Sequence, residues 1–403
     1  MSTSQAFPSE SRLCRPSRHV RCRPPPAWAR LAAAVAVLAG CNLEIPVNIP
    51  SPDGWGTVSG RVVTLDGRPV AGAAVSVPGG ADAVADSLGW FSVSGVRAAE
   101  RAAVSVTSDA FVSTTAIYPV QGGGETFRTV QLIPRAQAQR VDAARGGEVA
   151  LGRGGSVSLE PGSLVDPDGR PAEGEVFVRA TYIDPTDPAQ VRAAPGDYLS
   201  TVREGGGAPL QTLGMAEIRV TDRAGRVLRL ADDRTATLVW PTVQDVPGAS
   251  MYRMNAGDGL WDRQSVQVTG GGRTRIPDLR PSWNWDFAYP FVCVKVDTKA
   301  PGVHVVAQGV SYAGTSGAWA DGSGIAILGV RASSTVDIGV VPANQMATQR
   351  ITAPAGPLVP ANSTLTSAAK LQAACPTPIP VVATLAIDRS KITQHQIDAI
   401  RTR

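Results

Sequence analysis

Chemistry at a protein site needs side chains that hold protons, metals or electron pairs, and this chain has few. Outside the first forty residues only His304 and His395 remain of its three histidines. They form no HExxH pair and no Cys/His cluster at zinc spacing. A Ser-His-Asp enzyme needs a positioned imidazole base. His304 stands in a V-H-V-V run instead, a strand pattern that predicts a half-exposed side chain. Asp166, Asp168, Asp184 and Asp187 are carboxylates of the type that hydrolyse glycosides in pairs. Each neighbours Pro or Gly, however, which marks solvated turns. Asp166 and Asp168 are also the calcium candidates, being hard oxygen ligands on a loop, but the distal Glu and full spacing of a calcium loop are missing. Trp283, Trp285, Phe287 and Tyr289 alternate with other residues, so on a strand all four share one face. Such a row packs a core or a domain junction, which is the reading we favour. The other reading is a stacking strip for carbohydrate or protein. No catalytic residue, metal or cofactor is expected from these constellations.

The elements that must position these residues read as strands. The chain has 403 residues, with 42 Gly and 32 Pro against 7 Phe, and 18% of it is charged. That balance favours short strands joined by Gly/Pro turns over long charged helices. Hydrophobic residues make up 43%, enough for packed cores. The formal charge of +4 comes from the first forty residues, which hold six Arg and one Glu. The remainder has 32 basic and 33 acidic residues, so the body lacks the basic footprint of a nucleic-acid binder. Alternating runs such as Thr57–Thr64, Gly174–Ile183 and Ala216–Val220 recur every 8–12 residues in places, as in an antiparallel sandwich. The Pro-, Ala-, Ser- and Thr-rich stretch 341–380 reads as partly loop. Residues 388–403 read as a short C-terminal helix or tail.

Leu31–Gly40 is a ten-residue apolar run behind an Arg-rich segment, too short to span a bilayer. It ends Leu38-Ala39-Gly40-Cys41 and resembles a bacterial lipoprotein signal. That resemblance implies a diacylglycerol on the Cys41 sulfur, cleavage before it, and membrane attachment through the lipid. Asn42 after the cysteine implies sorting to the outer membrane. Val20–Gly40 alone has the length of an ordinary signal, which suggests translation from a downstream start at Val20. Cys14 and Cys22 fall in the discarded part. Cys293 and Cys375 then remain in an oxidising compartment and are expected to pair, the alternative being two separately buried thiols. Asn42–Trp55, rich in Pro, reads as a tether (41–55).

Gly60-Arg61-Val62, the run Asp66-Gly67-Arg68-Pro69-Val70-Ala71-Gly72-Ala73-Ala74-Val75, and Asp86-Ser87-Leu88-Gly89-Trp90-Phe91 resemble the carboxypeptidase regulatory-like, transthyretin-like family. This implies a non-catalytic β-sandwich over 56–135. Ala194-Pro195-Gly196-Asp197-Tyr198, Leu213-Gly214-Met215-Ala216, Asp222 with Gly225, Gly259-Leu260-Trp261 and Ser282-Trp283-Asn284-Trp285-Asp286 resemble extracellular β domains of the cartilage intermediate layer protein type, which implies a central β domain over 138–286. Related β domains cleave themselves at His-Phe-Ser. Ser282 is preceded instead by Arg280 and Pro281, so no cleavage is expected. Asp321-Gly322-Ser323-Gly324, followed by alternation and Gly329-Val330-Arg331-Ala332, mirrors Asp86–Ala98. A degenerate second copy of the first sandwich is therefore expected over 287–387.

The sequence thus reads as an all-β chain of tandem antiparallel sandwiches behind a lipoprotein signal (1–40). The expected role is binding or structural, toward protein or polysaccharide, in a bacterial envelope and in the outer membrane above all. A carbohydrate- or peptide-binding accessory module of a secreted enzyme system is the second reading.

Overall fold

The computed structural model describes residues 54–201, 207–241, 246–279, 282–341, 348–361 and 368–385. Cys41, the signal, the tether up to Asp53 and the C-terminal segment 388–403 lie outside the described residues.

The period-two patterns form strands throughout, arranged as three successive sandwiches. The first contains β1 (Trp55–Thr64), β2 (Ala74–Ser76), β3 (Ala83–Val84), β4 (Trp90–Arg97), β5 (Ala99–Ser108), β6 (Phe111–Val120) and β7 (Glu125–Leu132). One sheet has the order β4-β1-β7 and the other β3-β2-β5-β6. Val58, Val62, Phe91, Val93, Val104, Val106, Tyr118 and Val130 fill the space between them. Each strand contributes alternate residues to this core, because successive side chains leave a strand on opposite faces. Pairing is antiparallel except between β1 and β7. After β4 the chain enters the second sheet, forms the β5–β6 hairpin there, and returns as β7 alongside β1 in the same direction.

The middle sandwich follows with β8 (Gln139–Asp142), β9 (Gly147–Gly152), β10 (Gly155–Leu159), β11 (Leu164–Val165) and β12 (Glu175–Ile183). A short helix, α1 (Pro188–Ala193), is capped by Asp187, whose carboxylate accepts from the amides of Ala189 and Gln190. Then come β13 (Leu199–Thr201), β14 (Gly207–Thr221), β15 (Arg229–Leu230), β16 (Ala236–Val239), β17 (Ser250–Asn255), β18 (Leu260–Arg263), β19 (Val268–Thr269), β20 (Arg273–Ile276) and β21 (Trp283–Ala288). A sheet ordered β19-β20-β16-β10-β9 packs against a larger one, β13-β18-β17-β21-β14-β12-β8. In the larger sheet β13 pairs with both β18 and β14, so five of its strands close into a ring.

The last sandwich contains β22 (Phe291–Asp297), β23 (His304–Gly309), β24 (Thr315–Trp319), β25 (Ile325–Arg331), β26 (Thr335–Val341), β27 (Thr348–Thr352), a helix α2 (Ala368–Ala374) and β28 (Val381–Thr384). Its sheets are β25-β22-β28 and β24-β23-β26-β27. Strand for strand this is the connectivity of the first sandwich, including a parallel closing pair, β22 with β28. The stretch read from sequence as partly loop carries β27 and α2.

The likeness extends to hydrogen bonds. Asp86 accepts from the amides of Leu88 and Trp90, and Asp321 accepts from those of Ser323 and Ile325. The amides of Gly89 and Gly324 close the two turns onto the carbonyls of Asp86 and Asp321. Both glycines have a φ near +80°. A Cβ on Gly89 would stand 2.3 Å from the Val62 carbonyl, so only glycine fits there.

Candidate functional site

The same turn accounts for the calcium candidates. Asp166 accepts from the amides of Asp168 and Arg170, as Asp222 does from Ala224 and Arg226. The second oxygen of Asp166 lies 2.9 Å from Arg170 Nε and 3.7 Å from Arg226 Nη1. Asp168 pairs with Arg170. In this arrangement the oxygens a cation would need are engaged by backbone amides and guanidinium groups. Those groups also hold the Asp166 carboxyl below its ordinary range, against the opposing effect of desolvation. Asp184 accepts from the Thr186 amide and hydroxyl, and Asp187 caps α1.

The aromatic row does not form an open strip. Trp283 and Trp285, on β21, are buried in the middle core beside Trp240 and Met251. Tyr289 is buried in the last core, edge-on to Tyr312 at 5.6 Å. Phe287 is half-buried, packs against both cores and carries the Arg331 guanidinium over its ring at 5.8 Å. These four residues join two sandwiches, and their ring faces are occupied by protein. The stacking-strip reading is therefore corrected in favour of core and junction.

Cys293 and Cys375 form a disulfide, with Cα atoms 5.8 Å apart. Ser282 is buried, and its carbonyl accepts from the Met254 amide. His304 departs from expectation. It points away from its own sandwich core yet is only 8% exposed. Its ring lies 4.9 Å from that of Trp319, and burial, reinforced by the positive charge of Arg128, pushes its pKa well below the ordinary value. Arg128 belongs to β7 of the first sandwich. The Arg128 charge thus reaches His304 from a distant part of the chain, which a local strand pattern does not reveal.

The most concentrated polar chemistry lies at the junctions, and the sequence reading missed it. Between the first and middle sandwiches, Arg135 makes a two-pronged contact with Glu217 on β14, with both N–O distances 2.7 Å. Its remaining terminal nitrogen donates to the carbonyls of Ser108 and Asp109, and the Ser113 amide donates to Glu217. Both side chains are almost fully buried, at 1% and 5% exposure. Nearby, Arg101 pairs with Asp197, and the Gly196 amide donates to the Thr115 carbonyl. Toward the last sandwich, Arg192 of α1 donates to Gln308, which donates in turn to the Pro188 carbonyl. Arg331 donates to Gln211, and the Thr212 amide to the Ala313 carbonyl.

The closed ring of the middle sandwich encloses a second polar group. Asp286 and Asn284 are fully buried on the face of β21 opposite the tryptophans. Thr212 donates to Asn284, and Asn284 donates to one oxygen of Asp286; the other oxygen has no hydrogen bond. Burial raises the Asp286 pKa well above the ordinary carboxylate value. The folded chain then keeps a proton that the unfolded chain releases near pH 4. Stability is highest below the unfolded pKa and falls as pH rises through the folded one. Asp286→Asn is expected to remove this slope and to stabilise the chain at neutral pH by roughly 1–3 kcal/mol. Urea midpoints measured from pH 4 to pH 8 for both proteins check this. Parallel curves would show that Asp286 does not carry the dependence.

The polar sites described so far hold parts of the chain together. Comparison with known proteins gives similarity in sequence and little in structure. No family model matches the chain. It is 29% identical over 273 residues to cartilage intermediate layer protein 2 of Mus musculus, covering 64% of this chain and 22% of that protein. It is 30% identical over 102 residues to the Homo sapiens protein, covering 24% and 9%. The chain therefore spans less than a quarter of the length of these relatives. Among solved structures, the Bacillus anthracis TIE protein is matched at 8% identity and a TM-score of 0.19, covering 83% of this chain and 50% of that one. The Bacillus cereus major pilin subunit BcpA is matched at 11% identity and a TM-score of 0.18, covering 74% and 94%. The chain is thus an all-β, multi-sandwich protein with weak sequence similarity to cartilage intermediate layer protein 2.

Proposed function

We propose that this protein is a non-catalytic structural or adhesive component of a bacterial envelope, held to the outer membrane by lipid on Cys41. One observation carries the structural part: charged and polar side chains between the sandwiches, Arg135 and Glu217 foremost, are used to join one β unit to the next. Such joints suit a protein that presents surfaces at fixed spacing. The sequence similarity to cartilage intermediate layer protein 2 supports the same reading. The regulatory-like motifs of the first unit support a transthyretin-like module, repeated in the last unit. The anchor rests on Leu38-Ala39-Gly40-Cys41 behind an Arg-rich apolar run.

Fractionation of cells expressing the protein with and without Cys41→Ser, combined with protease shaving, tests the reading. Loss of membrane association in the variant is expected. Unchanged association would overturn the lipid anchor. Shaving of intact cells distinguishes a surface-exposed protein from a periplasmic one.

A further inference from the structure

The outer face of the β4-β1-β7 sheet carries an aromatic pair beside a cation. Register places Arg61 opposite Trp90 and Thr129, and Ser59 opposite Ser92 and Phe127. These residues leave their strands away from the core, which takes Val58, Val62, Phe91 and Val93. Trp90 and Phe127 reach across β1 until their ring centroids are 5.5 Å apart, tilted by 43°. Both remain half-exposed. Ser59, opposite Phe127 and diagonal to Trp90, is 6% exposed, with its hydroxyl unpartnered; the Thr129 hydroxyl is likewise buried and unpartnered. Thr57, Ser92 and Ser94 extend the hydroxyl rows. The Arg61 guanidinium carbon sits 5.4 Å from the Trp90 ring centre. Its Nε donates to the Leu88 carbonyl, which fixes the group in place and leaves the two terminal nitrogens for another partner. Among the described residues no carboxylate pairs with Arg61, and Glu125 stands at the far end of the face, opposite Thr57.

The second copy of the sandwich gives a comparison. On its equivalent sheet, β25-β22-β28, Leu371 and Ala374 of α2 pack against the last unit's core beside Ile327 of β25. Cys375, just after α2, is bonded to Cys293 of β22. In one copy the face has a helix fastened over it; in the other it carries an aromatic pair, hydroxyl rows and an unpaired cation.

We propose that this face of the first sandwich binds acidic polysaccharide. The inference rests on the binding role proposed above and gives it a site and a ligand class. Sugar rings present flat C–H faces to aromatic side chains, and their hydroxyls match the accessible hydroxyls of Ser92 and Ser94 beside the rings. A uronate carboxylate is the complement of an immobilised guanidinium with two free nitrogens. The cation lies beside the rings, so one acidic sugar engages both.

Calorimetric titration of the intact chain with polygalacturonate and alginate oligosaccharides, and with cello-oligosaccharides as neutral probes, tests the proposal. The acidic probes are expected to bind and the neutral probes to bind at least tenfold more weakly. Trp90→Ala and Phe127→Ala are each expected to weaken acidic binding tenfold or more, and Arg61→Gln to abolish the preference for acid. Because these side chains face outward, circular dichroism is expected to be unchanged; if Trp90→Ala alters it, Arg61→Gln and Trp90→Phe serve instead. Failure of both acidic probes to bind, equal binding of neutral probes, or binding indifferent to the variants would overturn the assignment. Membrane fractionation is a separate readout, so an anchored protein that binds no glycan refutes this site alone.

Discussion

Arg135→Met is expected to lower the stability of the folded chain by about 3–5 kcal/mol, the usual cost of removing one partner of a buried ion pair. Among the described residues Glu217 would be left with only the Ser113 amide as a partner, and the carbonyls of Ser108 and Asp109 would lose their shared donor. Glu217→Gln is expected to cost less, since an amide still accepts from the guanidinium. Arg135→Met with Glu217→Leu is expected to regain most of the loss, because an apolar pair needs no counter-charge. Urea midpoints for the four proteins check the order. A double variant no better than Arg135→Met would mean that the hydrogen bonds to Ser108 and Asp109, not the charge pair, carry the junction. Limited proteolysis gives an independent measure: the Arg135→Met chain is expected to be cut sooner near Pro134–Gln139, where the first two sandwiches meet.

How much of this was legible in the sequence follows from the range of each interaction. Strands were legible because burial on a sheet imposes a period of two over five to ten residues. The turns at Asp86 and Asp321 were legible because a carboxylate that bonds the amides two and four residues on, followed by a glycine at positive φ, is a local device. That local logic also explains Asp166: its turn chemistry is visible in Asp-Pro-Asp-Gly, and calcium was the less local reading. The junction pair was not legible, because Arg135 and Glu217 are 82 residues apart and each alone resembles a solvated charge on a strand. His304 and Asp286 were misjudged or missed for the same reason, since the Arg128 charge that reaches His304 and the Thr212 hydroxyl bonded to Asn284 beside Asp286 lie far away in sequence. Trp90 illustrates a rule that would have helped. In Trp90-Phe91, adjacent strand residues must face opposite ways, and the presence of Phe91 in the core sends Trp90 outward.

Loss of the Cys293–Cys375 bond is expected to destabilise the last sandwich by about 4–5 kcal/mol, the chain-entropy value for a loop of this length. The cysteines are 82 residues apart in sequence, and the segment between them contains β23 to β27 and α2. Cross-linking them removes much of the unfolded chain's freedom. It also holds the end of α2 against β22, next to the point where β28 enters parallel to that strand. A parallel closing strand has no hairpin to bring it home. In the first sandwich β7 follows β6 after a short connection, whereas in the last a long segment separates β27 from β28. The disulfide stands where that longer return needs a constraint, and the first copy has none. Cys293→Ala/Cys375→Ala is therefore expected to unfold the last sandwich at lower urea than the first two, giving a separate early transition. Hydrogen exchange would locate that transition in β22, β25 and β28. If instead the three units still unfolded together with an unchanged midpoint, the bond would be a passenger on a sandwich already held by its core, and α2 would owe its place to Leu371 and Ala374 alone.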